Sequence, residues 1–373
     1  MTAERDWLLG LDTPSYVFDP HAVCAQHAAL RAQLGTQLIV SLKANPHPDL
    51  FVRCGHAFTD GVELATLGEL ETVVGRGKLP RYLNNPAMDD ELMRAGIASR
   101  CHFVLDNPDA AARFAPLARG QRTGSVTLRM NAGALAGRAA RKEWHDHFGM
   151  TPAEAFTVAR ALAGDAIRVT GLHVFAGSYA FRAEAAELGL ALGRLADELA
   201  AATGGPLTFL NLGGGFSDHG HPPAVFAAYR ERIAPLAARY ELAHETGRAV
   251  FARAGLFVTK VVAVKRWRDQ TIAVCDGGMS HNFLLARTEQ VVKTWQAPRI
   301  VRVQPAASSE PAGTINFVGS TCSRADHIGQ LRDAPPPAVG DRVVFEHCGA
   351  YNRTYSVAGF LSHKPAHVYI RQA

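Results

Sequence analysis

The chain has 373 residues, enough for two domains at about 150 residues each and for a large core. Hydrophobic residues make up 47% and charged residues 20%, which excludes disordered and fibrous classes. Lys and Arg number 39 against 34 Asp and Glu, and a net charge of +5 over this length is too dilute for a nucleic-acid footprint.

The opening MTAERDWLLG carries acidic residues and no apolar core, and no later apolar run approaches the roughly 20 residues of a membrane span. The six cysteines (Cys24, Cys54, Cys101, Cys275, Cys322, Cys348) form no CxxC pair. That argues against a zinc knuckle or a disulfide scaffold and for a reducing, cytoplasmic setting without membrane contact. Strand-like runs follow at LIVSLKA (38–44), GVELA (61–65), RYLNN (81–85), HFVLD (102–106), VTLRMNA (126–132), VTGLHVFA (169–176), LTFLNLGG (207–214) and ELAHETG (241–247). Helical stretches such as 89–98, 152–164 and 223–240 lie between them; the last has Val225, Phe226, Tyr229, Ile233 and Leu236 at helical spacing. Eight strands joined by helices predict a closed (β/α)8 barrel, with an open doubly wound sheet as the alternative. From Gly255 the pattern becomes strand-rich and punctuated by Gly, Pro and Asp, with one short helix near 284–294. This predicts an all-β module, a sandwich or barrel.

A (β/α)8 barrel carries its chemistry on the C-terminal ends of its strands. Those ends read Lys43, Glu63, Asn84, Asp106, Arg129 with Asn131, His173 with Ser178, Gly213 to Gly215, and Glu245 with Arg248. Lys43 follows a strand expected to be buried. A lysine there is either a desolvated nucleophile suited to Schiff-base chemistry or a salt-bridged wall residue. NLGGGFS (211–217) and ETGR (245–248) follow the seventh and eighth strands, the usual phosphate site of such barrels. The glycines do not form GxGxxG, which disfavours a dinucleotide site. An imine-forming lysine, a phosphate cup and the carboxylate of Glu245 together point to pyridoxal 5'-phosphate, with Glu245 keeping the pyridine nitrogen protonated. HDH (145–147) and HGH (219–221) have no third ligand at a recognised spacing, so no metal is expected.

These segments resemble the fold-type III pyridoxal-phosphate decarboxylases, the group of diaminopimelate, ornithine and arginine decarboxylases. SLKANPHP (41–48) resembles the family's lysine motif, and GVELATLGEL (61–70) its GxDxxSxGEL with Glu63 in place of Asp. LRMNAG (128–133), HFGM (147–150), GLHVFAGS (171–178), LNLGGGF (210–216), ETGR, CDGGM (275–279), TCSRAD (321–326) and GAY (349–351) follow in family order. The resemblance implies a pyridoxal-phosphate barrel over 21–254 and a β-domain of 1–20 with 255–373, whose first strand lies in TPSYVFD (13–19). It places the cofactor on Lys43, Glu63, Arg129, His173 and Phe175. The phosphate would rest on Ser178, Gly214, Gly215, Gly247, Arg248 and Tyr351, and the pyridine nitrogen on Glu245. Lys43 and Cys322 would be catalytic, with Cys322 offered across a homodimer. Ser323, Arg324 and Asp326 are candidates for substrate contact.

The implied reaction removes the α-carboxylate of an amino acid and returns a proton to Cα from Cys322 or Lys43. Three positions depart from the family. Phe175 replaces the histidine that stacks on the pyridine ring, Ser323 replaces the acid that holds a distal ammonium, and Leu284 replaces an arginine for a distal carboxylate. A buried ammonium without an acidic partner is penalised. The expected substrate is therefore a conjugated or acidic amino acid, such as a citryl-diamino acid of siderophore assembly or a carrier-tethered amino acid. The alternatives are free diaminopimelate or ornithine, a racemase (disfavoured by Glu245) and a catalytically silent regulatory homologue. Cys24, Cys54 and Cys101 read as buried structural thiols.

Overall fold

A computed structural model describes residues 2–136, 147–287, 296–305 and 313–372. Among these residues the strands are, in chain order, β1 (Ser15–Phe18), β2 (Gln37–Ser41), β3 (Val62–Leu64), β4 (Arg81–Asn84), β5 (His102–Leu105), β6 (Val126–Met130), β7 (Val169–Val174), β8 (Phe209–Asn211) and β9 (Glu241–Thr246). They continue as β10 (Gly255–Trp267), β11 (Gln270–Cys275), β12 (Arg299–Val301), β13 (Thr314–Val318), β14 (His327–Arg332), β15 (Arg342–Phe345) and β16 (His367–Ile370). The chain divides into two compact units, Cys24–Val250 and a second formed by Met1–Val23 with Phe251–Ala373.

In the first unit β2 to β9 close a parallel barrel. Each strand alternates between a face toward the helices and a face toward the barrel axis. Ile39, Tyr82, Phe209 and Ala243 form a buried cluster inside, with the Tyr82 and Phe209 rings stacked at 6.1 Å. Gly171 pairs with Phe209 in register, and a Cβ at 171 would overlap the Phe209 carbonyl. Two residues further along each strand the same parity places Ser41, Asn84, Asn211 and Glu245, all buried, toward the C-terminal mouth, which is how a period-2 alternation becomes a polar layer above an apolar one. The helices are capped locally: Thr66, Asp89 and Asn107 accept the backbone N–H of Glu69, Leu92 and Ala110, and Thr151 with Glu154 forms a reciprocal capping box.

The second unit is one mixed eight-stranded sheet. Its long strand β10 pairs antiparallel with β1 and β15 through its first half and with β11 through its second half. A bulge between Val261 and Ala263 marks the change. The helix Thr2–Leu9 has no counterpart among the sequence expectations. It forms because Leu8, with Leu11 just beyond it, is buried against Val17, Val258, Val301 and Val344. Of the helix expected near 284–294, the described residues contain a 3-10 turn at Phe283–Ala286. No helix among the described residues is long and apolar enough to cross a membrane.

Candidate active site

Lys43 occupies the 3-10 turn Leu42–Ala44 directly after β2, closed by Asn45 N–H donating to the Leu42 carbonyl at 2.9 Å. Its Nζ lies 3.1 Å from Oε1 of Glu63. Glu63, 2% exposed at the centre of β3, also accepts from Ser41 Oγ and from Asn84 Nδ2 at 2.9 Å. Three donors, Ser41 of β2, Lys43 of the turn after it and Asn84 of β4, thus meet on one buried carboxylate. Of the two readings of this lysine, desolvated nucleophile and salt-bridged wall residue, the geometry has the ion pair with Glu63, and 48% of the Lys43 side chain is exposed.

Two further networks complete the mouth. Arg129 on β6 donates to Asp106 Oδ2 at 3.1 Å, its guanidinium lies 4.3 Å over the Phe148 ring, and Gly149 N–H donates to the same Asp106 oxygen at 3.1 Å. His173 on β7 is fully buried with Nε2 3.2 Å from Glu245 Oε1, and Asn211 Nδ2 donates to that oxygen at 2.8 Å. Burial pushes the Glu245 carboxyl up. The positive fields of His173, Lys43 and Arg129, with the hydrogen bond from His173, outweigh it and hold the group below the ordinary carboxylate range.

The glycine run follows β8. Gly213 and Gly215 have φ of +67° and +93°, conformations open to glycine at little cost. A Cβ on Gly214 would overlap the Glu245 carbonyl, and one on Gly215 would come within 2.7 Å of the Gly177 carbonyl. The run is therefore pressed between the ends of β7 and β9. Ser178 is exposed in the loop after β7, Phe175 is half-buried there, Gly247 is buried, and the Arg248 guanidinium lies 5.4 Å over the Tyr179 ring.

In the sheet unit, Cys322 is exposed in the loop 319–326 between β13 and β14. Ser323 is half-buried and Arg324 exposed beside it. Asp326 departs from the expected substrate contact. It is 3% exposed, Oδ1 accepts from Met279 N–H at 2.7 Å, and Oδ2 accepts from the N–H and hydroxyl of Thr321 at 3.0 and 2.7 Å. Its carboxylate is committed to Thr321 of its own loop and to Met279 after β11. Tyr351 is half-buried with φ of +67°, and the neighbouring Asn352 donates to Asn282 Oδ1 at 3.0 Å. Of the three thiols expected to be buried, Cys54 and Cys101 are, with burial pushing Cys54 up to about 12; Cys24 is half-buried. Residues 145 and 146 of the HDH run lie outside the described residues.

Ser41 and Asn211 fall inside the SLKANPHP and LNLGGGF segments without an assigned role, and Asn84 and Asp106 mark strand ends without one. Strand parity would have found them: Ser41 pairs in register with Glu63, and Asn211 with His173.

The mouth fits pyridoxal phosphate on its own geometry. Asn84 Oδ1, Arg129 Nε and His173 Nδ1 are buried without a hydrogen-bond partner, which a polar ligand resolves. The glycine run leaves no room for side chains, and the amine of Lys43 and the carboxylate of Glu245 are the donor and acceptor that this cofactor's chemistry needs. Fold and site together define a barrel enzyme that uses pyridoxal phosphate.

Residues 15–349 match the family described as pyridoxal-dependent decarboxylase, C-terminal sheet domain. The chain is 28% identical to a diaminopimelate decarboxylase of Deinococcus radiodurans, over 95% of this chain and 89% of that one. It is 23% identical to the L-glutamyl-[BtrI acyl-carrier protein] decarboxylase of Niallia circulans, over 94% and 87%. The lysine/ornithine decarboxylase of Vibrio vulnificus, solved with putrescine, shares the fold at a TM-score of 0.82 and 22% identity, over 100% of this chain and 98% of that one. The chain belongs to the pyridoxal-phosphate-dependent amino-acid decarboxylases of fold type III.

Proposed function

We propose that this decarboxylase acts on an amino acid whose far end carries no free ammonium, an acidic or conjugated substrate such as a citryl-diamino acid or an amino acid tethered to a carrier protein. One observation carries this reading. In the loop 319–326 the only carboxylate, Asp326, is occupied by Met279 and Thr321, Ser323 follows Cys322, and the exposed charge is the cation Arg324. An ammonium brought there meets no acid and one like charge, a costly arrangement once water is displaced. The resemblance to a decarboxylase named for a carrier-bound glutamyl group supports the same class.

Bound at the mouth, pyridoxal phosphate supplies an electron sink for the pair left behind when the α-carboxylate departs. Lys43 holds the cofactor's aldehyde carbon through its amine, which Glu63 orients. Glu245 keeps the proton on the pyridine nitrogen, and Arg129, His173 and Phe175 line the ring. Ser178, Gly214, Gly215, Gly247, Arg248 and Tyr351 bind the phosphate. Cys322, contributed across a cytoplasmic homodimer, delivers the proton to Cα. A positioned cysteine thiol is among the side chains that serve as general acids.

The test compares CO2 release from citryl-diaminopropionate, carrier-bound glutamate and glutamate with that from diaminopimelate, ornithine and lysine. The expected result is a kcat/KM for the first group at least about 100-fold above the second, the size of an unpaired-charge penalty. Fast turnover of diaminopimelate would overturn this reading in favour of the activity named for the Deinococcus radiodurans relative.

A further inference from the structure

The carboxylate of Asp326 sits where two segments of the sheet unit meet, the stretch after β11 and the loop 319–326. Oδ1 takes the N–H of Met279, in the stretch after β11, and Oδ2 takes both donors of Thr321. The backbone of the same residue closes the loop. Asp326 N–H donates to the Ser323 carbonyl at 3.1 Å, and the Asp326 carbonyl accepts from Gly319 N–H at 2.9 Å. Gly278 and Gly319 face each other across this carboxylate. A Cβ on either would overlap an Asp326 oxygen and stand 2.5 Å from the other glycine's Cα. Two glycines without positive φ therefore leave the space that one buried acid fills.

Cys322 is the residue next to Thr321, within the turn that this carboxylate ties down. We infer that Asp326 is a positioning residue for Cys322: it fixes Thr321 to the backbone of Met279 and so sets where the exposed thiol stands. The inference rests on the proposed role of Cys322 as the proton donor to Cα. A carboxylate accepting three donors holds a geometry that no neutral side chain of the same size reproduces, because an amide would turn two N–H groups toward existing donors.

The experiment uses the full-length protein with and without cofactor and the variants Asp326→Asn, Thr321→Val, Thr321→Ser and Cys322→Ser. The cofactor-free readout is the rate at which iodoacetamide alkylates Cys322, located by peptide mass. Asp326→Asn and Thr321→Val are expected to change that rate about tenfold, as loss of a charge-assisted hydrogen bond implies. They are also expected to lower kcat about tenfold while KM stays within about twofold, the split of a misplaced catalytic group. Thr321→Ser keeps the hydroxyl and should behave as the parent. If Asp326→Asn does not fold, the Thr321 pair decides. Parent-like alkylation and kcat in folded Asp326→Asn or in Thr321→Val overturn the inference. If Cys322→Ser lowers kcat while those variants change nothing, only the positioning role of Asp326 fails. If Cys322→Ser leaves kcat unchanged while alkylation shifts in Asp326→Asn, the loop role stands and the proton-donor reading fails.

Discussion

His173 Nε2 lies 3.2 Å from Glu245 Oε1, although β8 separates their two strands. Asn211 of β8 bridges the gap by donating to the same oxygen. The carboxylate beside which the pyridine nitrogen is proposed to sit is thus clamped from two adjacent strands, and its negative charge is maintained deep in the barrel.

Glu245 is held below its ordinary pKa, so it contributes stability above the unfolded carboxylate range near pH 4.5. That contribution fades as pH falls through the depressed folded value. The acid limb of kcat/KM should therefore not report Glu245 in the parent. His173→Ala removes the largest lowering influence on Glu245 and should move an acid limb upward in pH. Glu245→Gln should lower kcat about 100-fold. Steady-state profiles from pH 4 to 9 check all three.

Lys43 is met by Glu63 from a neighbouring strand. Borohydride reduction of the holoenzyme should attach the cofactor covalently at Lys43, read by peptide mass. Lys43→Ala should lower CO2 release by about a thousandfold or more with an unchanged circular-dichroism spectrum, as removal of a covalent nucleophile does. Label found on another lysine would end the assignment.

Gly214→Ala drives a Cβ into the Glu245 carbonyl, so the loop and the end of β9 must separate. Cofactor affinity, titrated by visible absorbance, should fall about tenfold or more, and the protein should lose roughly 1–3 kcal/mol as overpacking does. Gly68→Ala is the control: nothing lies within 4 Å of a Cβ there, and its helical site should tolerate or welcome the methyl.

The barrel was legible because its strands announce themselves by β-branched runs ending in polar residues, from LIVSLKA to ELAHETG. Lys43, Glu63, Arg129, His173 and Glu245 stand at those ends. Parity points Ser41 and Asn211 inward, but it takes the register of the closed barrel to make them partners of Glu63 and Glu245. Asp326 is similarly opaque. An acid four residues after an exposed cysteine reads as a substrate contact until its three donors are counted. The N-terminal helix escaped notice because its apolar positions make sense only against the sheet they cover.

His244, next to Glu245 but on the opposite face of β9, is fully buried among Phe181, Phe216 and Tyr229. Its ring bonds Thr36 Oγ1 at 2.9 Å and Tyr229 Oη at 2.7 Å. Burial depresses its pKa to about 3, so the folded state keeps it neutral while the unfolded state protonates it below about 6.5. The folded pKa lies below the unfolded one, and stability is therefore lost as pH falls from about 6.5 toward 3, at roughly 1.4 kcal/mol per unit for this group. His244→Gln should flatten the dependence of urea-unfolding free energy on pH between 4 and 6 relative to the parent. An unchanged slope would show that the ring is already charged or open to water.

Ser323 stands where the motif resemblance implies an acid, and the only carboxylate of its loop is turned inward. If the absent acid is what excludes a distal ammonium, restoring it should readmit one. Ser323→Asp is expected to raise kcat/KM for diaminopimelate or lysine about tenfold, a gain within the reach of one partly exposed ion pair at a site that loses water on binding. Arg324→Ala should act on the other side, lowering kcat/KM for an acidic or citryl-bearing substrate several-fold and reducing its salt dependence, because the removed charge would attract the anion from solution. Measured on the same two substrates, the variants should move the preference in the same direction by different routes, one by adding an attraction and the other by removing one. A Ser323→Asp enzyme that discriminates as the parent does would place the specificity elsewhere in the mouth.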